Sequence, residues 1–338
     1  MEIINGSTVR TVRKKSTKNR ILEFLEQQRG KSISGEHIAE MLSISRNSVW
    51  KAVKELQKDG YNITAVTNKG YCLSHENDIL SVPGIKPFLS EEAQPFADNI
   101  RIYKCLESTN KTAKEMALGG AEHGSVIIAD CQTMGRGRYY RNFFSPYGGL
   151  YMSIIIRPEV LHFENPTSVT AFAAVSVCEA IEAVSEKKPK IKWVNDIFID
   201  GKKACGILTE AVTDFESGSP EWIVVGIGIN VYTRTEDFPD ELKSVATSIY
   251  PDQKTNGIRN KLSAEIINRI LGFGEMPSEA EIFQKYKKRL MVLGREITVI
   301  QGNREYRATA IDIDSAGHLI VKTEKEEIIT LTSAEIRF

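Results

Sequence analysis

Apolar residues recur along this chain first at helical and later at strand spacing. Residues 1–16 are polar and basic, an arm with no core-facing pattern. From Thr17 onward, Ile21, Leu22 and Leu25 fall on one helical face. A second short helix fits Gly35 to Leu42, with Ile38, Ala39 and Leu42 inward. Ser43-Ile44-Ser45 makes a turn, and Ser45 suits the N-cap of a third helix from Arg46 to about Lys58. That helix buries Val49, Val53 and Leu56 at i, i+4 and i+7. Tyr61 to Val66 and Gly70 to Leu73 read as two strands joined by Thr67-Asn68-Lys69. Three helices with a β-wing predict a winged helix-turn-helix over residues 1–75.

Residues 76–100 hold Pro83, Pro87 and Pro95 among acidic residues and read as a linker with room for one short helix. Over residues 101–290 strand signals dominate: 127–129, 150–156, 190–193, 197–199 and 222–229, against helices at 171–184 and 263–271. Strands outnumber helices and many neighbours are hairpin-like. A mixed sheet with helices on one face is therefore expected, not a doubly wound parallel fold. After Gly294 the pattern is purely β, at 296–300, 306–313, 319–323 and 327–331, a small barrel over residues 291–338. The fold class is α+β. No apolar run is expected to be long enough to span a bilayer, and the basic N-terminus lacks the apolar core of a signal peptide. Cys72, Cys105, Cys131, Cys178 and Cys205 show no CxxC spacing and read as reduced thiols of a cytoplasmic protein.

Charge changes this picture at one end. The 338 residues carry no formal net charge, yet residues 1–75 hold 13 Lys/Arg against 7 Asp/Glu. A basic module on a mildly acidic body points to a local polyanion. If that partner is DNA, Lys51, Lys54 and Lys69 neutralise phosphates, while Arg46, Asn47 and Ser48 near the helix start reach base edges. Trp50 fits either the sugar-phosphate backbone or the core. A helical protein-interaction domain with solubilising lysines is the alternative.

Candidate chemistry lies in the middle third. Gly135-Arg136-Gly137-Arg138 combines close backbone approach to an anion with guanidinium forks. Lys192-Trp193-Val194-Asn195-Asp196 and Gly201-Lys202-Lys203-Ala204-Cys205-Gly206 follow. Alone, the first is equally a solvated basic loop. The order of all three favours a site for a carboxylate and a nucleotide phosphate. Asp196 and Asn195 can hold Mg²⁺ with phosphate oxygens or make a turn. Asn230, after Gly226-Ile227-Gly228-Ile229, can pair with an adenine edge or simply end a strand. None of the five histidines lies in a triad pattern, so a Ser or Cys nucleophile finds no support.

These motifs, with Ser108-Thr109-Asn110, Gln132-Thr133-Met134, Phe144-Ser145-Pro146, Gly206-Ile207-Leu208-Thr209-Glu210 and Gly226 to Val231, resemble the biotin–protein ligases in order over about 125 residues. Two departures stand out. Tyr139, Tyr140, Arg141, Asn142 and Phe143 occupy positions where the family has a further glycine-arginine pair and a tryptophan, and Val194 replaces a proline. The resemblance implies ATP-dependent activation of biotin to biotinyl-5′-adenylate and transfer to a lysine of a biotin carboxyl carrier protein. It assigns catalysis to Arg136, Arg138, Lys203 and Asp196, the last with Mg²⁺. Biotin falls to Ser108, Thr109, Asn110, Gln132, Arg136, Gly137, Arg138, Lys203 and Gly206. ATP falls to Gly135, Phe143, Lys192, Asn195 and Asn230. It further implies an SH3-like C-terminal barrel, operator DNA as a partner, and a homodimer that represses when adenylate-bound. A biotin sensor without ligase activity and a lipoate-type ligase remain as alternatives.

Overall fold

The computed structural model describes residues 16–66, 69–161, 163, 166–213, 220–251, 257–302 and 304–338. The chain forms two compact units, residues 1–79 and 80–338. In the first, α1 (Thr17–Gln27), α2 (Gly35–Leu42) and α3 (Arg46–Lys58) pack about Ile21, Leu25, Ile38, Val49, Val53 and Leu56. Each helix starts at a serine whose hydroxyl accepts a backbone N–H: Ser16 from Asn19, Ser34 from His37 and Ser45 from Ser48. The wing is an antiparallel pair, β1 (Ile63–Val66) and β2 (Gly70–Leu73), and Tyr71 bridges to Ile33. Gly70, at φ +93°, is required there, because a Cβ would stand 1.9 Å from the Ile33 carbonyl oxygen. Of the expected wing tip, Thr67 and Asn68 lie outside the described residues, and Lys69 is exposed.

The second unit begins inside the expected linker. Residues 76–100 are not a linker throughout: α4 (Val82–Ile85) and two 3-10 turns carry Leu80, Ile85, Leu89, Ala93 and Ala97 into the core. Pro83, Pro87 and Pro95 each sit in the first two positions of these short helices, where a missing N–H costs nothing. Asn260 and Asn268 side chains accept from the Ser81 and Ser90 amides, at 3.1 and 2.9 Å, and tie the segment down.

The elements that follow are β3 (Ile100–Tyr103), α5 (Thr109–Leu118), β4 (Ser125–Ala129), β5 (Leu150–Ile156), α6 (Pro158–Leu161) and α7 (Pro166–Val184). Then come β6 (Lys190–Lys192), β7 (Asp196–Ile199), β8 (Lys202–Thr213), β9 (Pro220–Ile229), α8 (Asp240–Lys243), α9 (Ile258–Leu271) and α10 (Glu279–Arg289). The seven strands order as β3-β4-β5-β9-β8-β7-β6, antiparallel except for β3 beside β4. Helices lie on both faces, not one. Val126, Ile128, Ile154 and Ile156 share one core with residues of α7, α9 and α10. The alternate positions Ile127 and Ile155 pack with Ala113 and Ala117 of α5. A strand buried on both faces reads as an unbroken apolar run, so the side on which α5 sits is not encoded locally. Residues 167–184 of α7 are long and apolar enough to cross a membrane, against expectation, yet 67% of that stretch is buried here as the central core helix.

The last elements are β10 (Glu296–Gln301), β11 (Arg304–Ile313), β12 (Leu319–Thr323), β13 (Ile328–Leu331) and β14 (Glu335–Arg337). They form one antiparallel sheet, ordered β13-β12-β11-β10-β14. It shares its core with the central sheet, and the Trp193 indole N–H donates to the Gly317 carbonyl at 3.0 Å.

Candidate active site

A cleft of about 300 Å³ opens over the first half of β8 and the glycine positions near the carboxyl end of β9, and is walled on one side by residues 334–336. Gly206 and Gly228 are register partners on adjacent strands and form its floor. The Phe143 ring lies on that floor: a Cβ at Gly228 would stand 2.7 Å from it, and one at Gly206 3.2 Å. Two missing side chains thus make room for one flat ring.

One end of the cleft is a prewired polar network. Thr109 donates to Gln132 Oε1 from its backbone N–H (2.8 Å) and its hydroxyl (3.1 Å). Gln132 Nε2 donates to Ser145 Oγ at 3.0 Å. Ser153 Oγ lies within 2.8 Å of Thr109 Oγ1 and donates to Asn110 Oδ1 at 2.7 Å. Asn110 Nδ2 donates to the Leu208 carbonyl (3.2 Å) and to Glu210 (2.8 Å). Ser108 caps α5 and at the same time lines the cleft.

The other end is cationic. Arg136, Arg138, Arg141, Lys192 and Lys203 line the cleft against the carboxylates Asp196 and Glu335, a net charge of +3. Lys203 Nζ pairs with Asp196 at 2.7 Å and stands 5.9 Å from the centre of the Phe143 ring. Burial pulls the Lys192 ammonium below the usual lysine range, opposed by Asp196. Its charge faces the rings of Phe198 and Phe338, at 5.7 and 5.2 Å. Arg138 reaches Asn195 Oδ1 at 3.5 Å. Asn195 Nδ2 also donates to the Ile207 carbonyl at 2.6 Å, so Asn195-Asp196 ends the β6–β7 hairpin turn and lines the site at once. The Trp193–Val194 peptide within that turn is cis.

The cleft therefore gathers Ser108, Thr109, Asn110, Gln132, Arg136, Gly137, Arg138, Phe143, Lys192, Asn195, Asp196, Lys203 and Gly206. Two expected residues stay out. Asn230 is 4% exposed, does not line the cleft and spends its Nδ2 on the Thr247 carbonyl. Gly135 is buried at the base of the loop, where a Cβ would stand 2.5 Å from the Phe143 carbonyl oxygen and from Ser145 Oγ. Tyr139, Arg141, Glu335 and the glycine pair 226/228 with their neighbours complete the lining. Glu335 escaped notice because nothing local marks a residue some 200 positions from the loop it faces.

The five thiols are not all free. Cys105 and Cys131 form a disulfide, because β3 and β4 run parallel and their continuations pair at Leu106 and Gln132. A separation of 26 residues carried no hint of that adjacency. Burial pushes the Cys178 thiol up to about 12 and the Cys205 thiol well above its ordinary range, so neither is a nucleophile. Among the described residues no group of three or more His, Cys, Asp or Glu could hold a metal by itself.

In the first unit, Arg46, Asn47, Lys51 and Lys54 are exposed on α3, opposite its buried face, and Ser48 is half-buried beside Ser45. Trp50 is 51% exposed among them, which rules out its place in the core.

Residues 102–230 match the Biotin/lipoate A/B protein ligase family, residues 292–338 the Biotin protein ligase C terminal domain, and residues 17–72 an HTH domain. The Bifunctional ligase/repressor BirA of Bacillus subtilis is 35% identical over 94% of this chain and 97% of its own length. The chain belongs to the bifunctional biotin ligase/repressor family. BirA of Escherichia coli is 27% identical over 87% of this chain and 89% of its own. The biotin protein ligase from Aquifex aeolicus, solved with biotin and ATP, superposes with a TM-score of 0.60 at 30% identity, over 71% of this chain and 97% of that one. That coverage extends to nearly the whole of a structure holding both small molecules.

Proposed function

We propose that this chain activates biotin with ATP and passes it to a lysine of a biotin carboxyl carrier protein. We further propose that its adenylate-bound dimer represses transcription at a two-fold operator. The observation that carries the first step is the +3 cleft with a polar network at one end and a glycine floor between. A biotin carboxylate oxygen attacks the α-phosphorus of ATP; the bond to pyrophosphate breaks, and pyrophosphate leaves with the electron pair. Two anions must be held together while negative charge accumulates, so positioning and electrostatics dominate the chemistry. In this reading Arg138 and Lys203 bridge the carboxylate and the α-phosphate, and Lys192 serves the outer phosphates. Lys203 exchanges Asp196 for substrate oxygen as the anions arrive. In the second step the acceptor lysine, as the free amine, attacks the acyl carbon and AMP leaves.

Asp196 fits Mg²⁺ as a single carboxylate ligand, since that ion commonly takes one or two carboxylates with phosphate oxygens. When bound it would neutralise phosphate charge. In the first unit, exposed Arg46, Asn47, Lys51 and Lys54 suit a duplex, with Lys69 at the wing. One winged helix covers one half-site, so a two-fold operator calls for two copies.

Biotin-dependent exchange of pyrophosphate into ATP tests the reading. Lys203→Ala should lower the exchange rate on the order of 10²–10³-fold with an unchanged thermal midpoint. Exchange that requires lipoate rather than biotin would transfer the chain to the lipoate ligases. No exchange with either acid would leave a sensor without ligase activity.

A further inference from the structure

At the tip of the cleft loop Tyr139 adopts φ 54°, ψ 37°, a left-handed conformation that costs a non-glycine residue on the order of 1 kcal/mol. Its neighbours account for it. The Tyr139 hydroxyl lies 2.9 Å from Ser333 Oγ, just ahead of β14 in the C-terminal sheet. Arg138 Nη2 donates to both oxygens, at 3.2 Å to Tyr139 and 3.3 Å to Ser333. The guanidinium also stands 5.1 Å from the centre of the Tyr139 ring, within cation–π range. With Asn195 on its other nitrogen, Arg138 is held from three sides.

We propose that Tyr139 and Ser333 form a latch that fixes the Arg138 guanidinium over the cleft, and that Tyr139 is a positioning residue for adenylate formation, resting on the proposed reading of this cleft. An unanchored arginine pays rotamer entropy each time it engages an anion; one held by two hydroxyls and a ring has already paid part of it. The latch also makes the C-terminal sheet part of the active site and explains how tyrosine serves at a loop position where the resembled family carries a different residue.

Tyr139→Phe retains the ring and the backbone conformation and removes only the hydroxyl; Ser333→Ala removes its partner. In biotin-dependent pyrophosphate exchange each should lower kcat/KM for ATP about tenfold with the thermal midpoint unmoved, since both side chains contact Arg138 at an exposed position. The double variant should be no worse than either single, because the two act as a unit. Ser333→Thr, which keeps a hydroxyl, should restore exchange. Wild-type kinetics in both single variants, or multiplicative losses in the double, would overturn the latch. Lys203→Ala run alongside separates the cases: if it loses exchange while the latch variants do not, the cleft assignment stands and the latch alone falls. A wild-type chain without exchange would remove the reading on which the latch rests.

Discussion

Asn110 lines the cleft, yet every polar atom of its side chain is engaged inside the protein, so its removal should be felt first as lost stability. It is 6% exposed and joins two strands, Ser153 on β5 and Leu208 and Glu210 on β8, across Gly226 on the β9 between them. Asn110→Ala deletes two neutral hydrogen bonds, each worth about 0.75 kcal/mol net, and one to a carboxylate worth about 1.5 kcal/mol. Glu210 keeps Lys114 at 2.7 Å and is not left uncompensated, which holds the total near 3 kcal/mol. For a unit of this size that is a fall in thermal midpoint of roughly 6–12 °C. Gly226 supplies the cross-check. A Cβ there would stand 2.0 Å from Asn110 Oδ1, so Gly226→Ala must expel the same side chain and forfeit the same bonds. With Ala at 110 the clash is gone. The double variant should lose about 3 kcal/mol rather than about 6, a coupling near 3 kcal/mol in a double-mutant cycle. Urea unfolding of the four proteins measures it. Additive losses, or an Asn110→Ala protein with an unchanged midpoint and weaker biotin binding, would show that Asn110 is a ligand and not a buttress.

Four further outcomes are expected. Trp50 is exposed while Trp193 and Trp222 are 4% and 3% exposed, so duplex DNA should alter an emission signal that Trp50→Phe abolishes. In the same titration, Lys51→Ala or Lys54→Ala should reduce the salt dependence of log K by about 0.9 per lost phosphate contact, and an unchanged slope would remove that lysine from the interface. The Cys105–Cys131 disulfide closes a loop of 26 residues, so reduction or Cys131→Ser should lower unfolding free energy by about 3.5 kcal/mol; superimposable urea curves with and without dithiothreitol would contradict the bond. Burial, aided by the Arg157 charge, holds the His123 imidazole below its ordinary value near 6.5. The unfolded ring then takes a proton first as pH falls through 6.5, and stability is lost on the acid side until the folded ring also protonates. His123→Gln should flatten the thermal midpoint between pH 7 and 5 relative to the parent; parallel profiles would discount the histidine.

Local sequence carried a good deal of this protein. The i, i+4, i+7 spacing of Val49, Val53 and Leu56 with Ser45 before them defines α3, because helix burial and capping are settled within a few residues. The glycine-arginine loop, the Lys192–Asp196 turn and Lys203 announced the charged end of the cleft, since charges and glycines advertise themselves whatever they face. What the sequence left open depends on contacts between distant segments. It did not say that residues 80–100 are core, because helix-starting prolines look the same in a linker. It did not place α5 opposite α7, since strands buried on both faces carry no sidedness. Cys105 met Cys131 only because β3 and β4 lie parallel, and Asn230 gives its Nδ2 to the Thr247 carbonyl, away from the cleft lining. Tyr139 finds Ser333, and Arg141 finds Glu335, only after the C-terminal sheet has docked. Residue type and spacing determined which chemistry was on offer; the tertiary structure decided which groups remained free to perform it, because each polar atom's partner is chosen by proximity in space rather than along the chain.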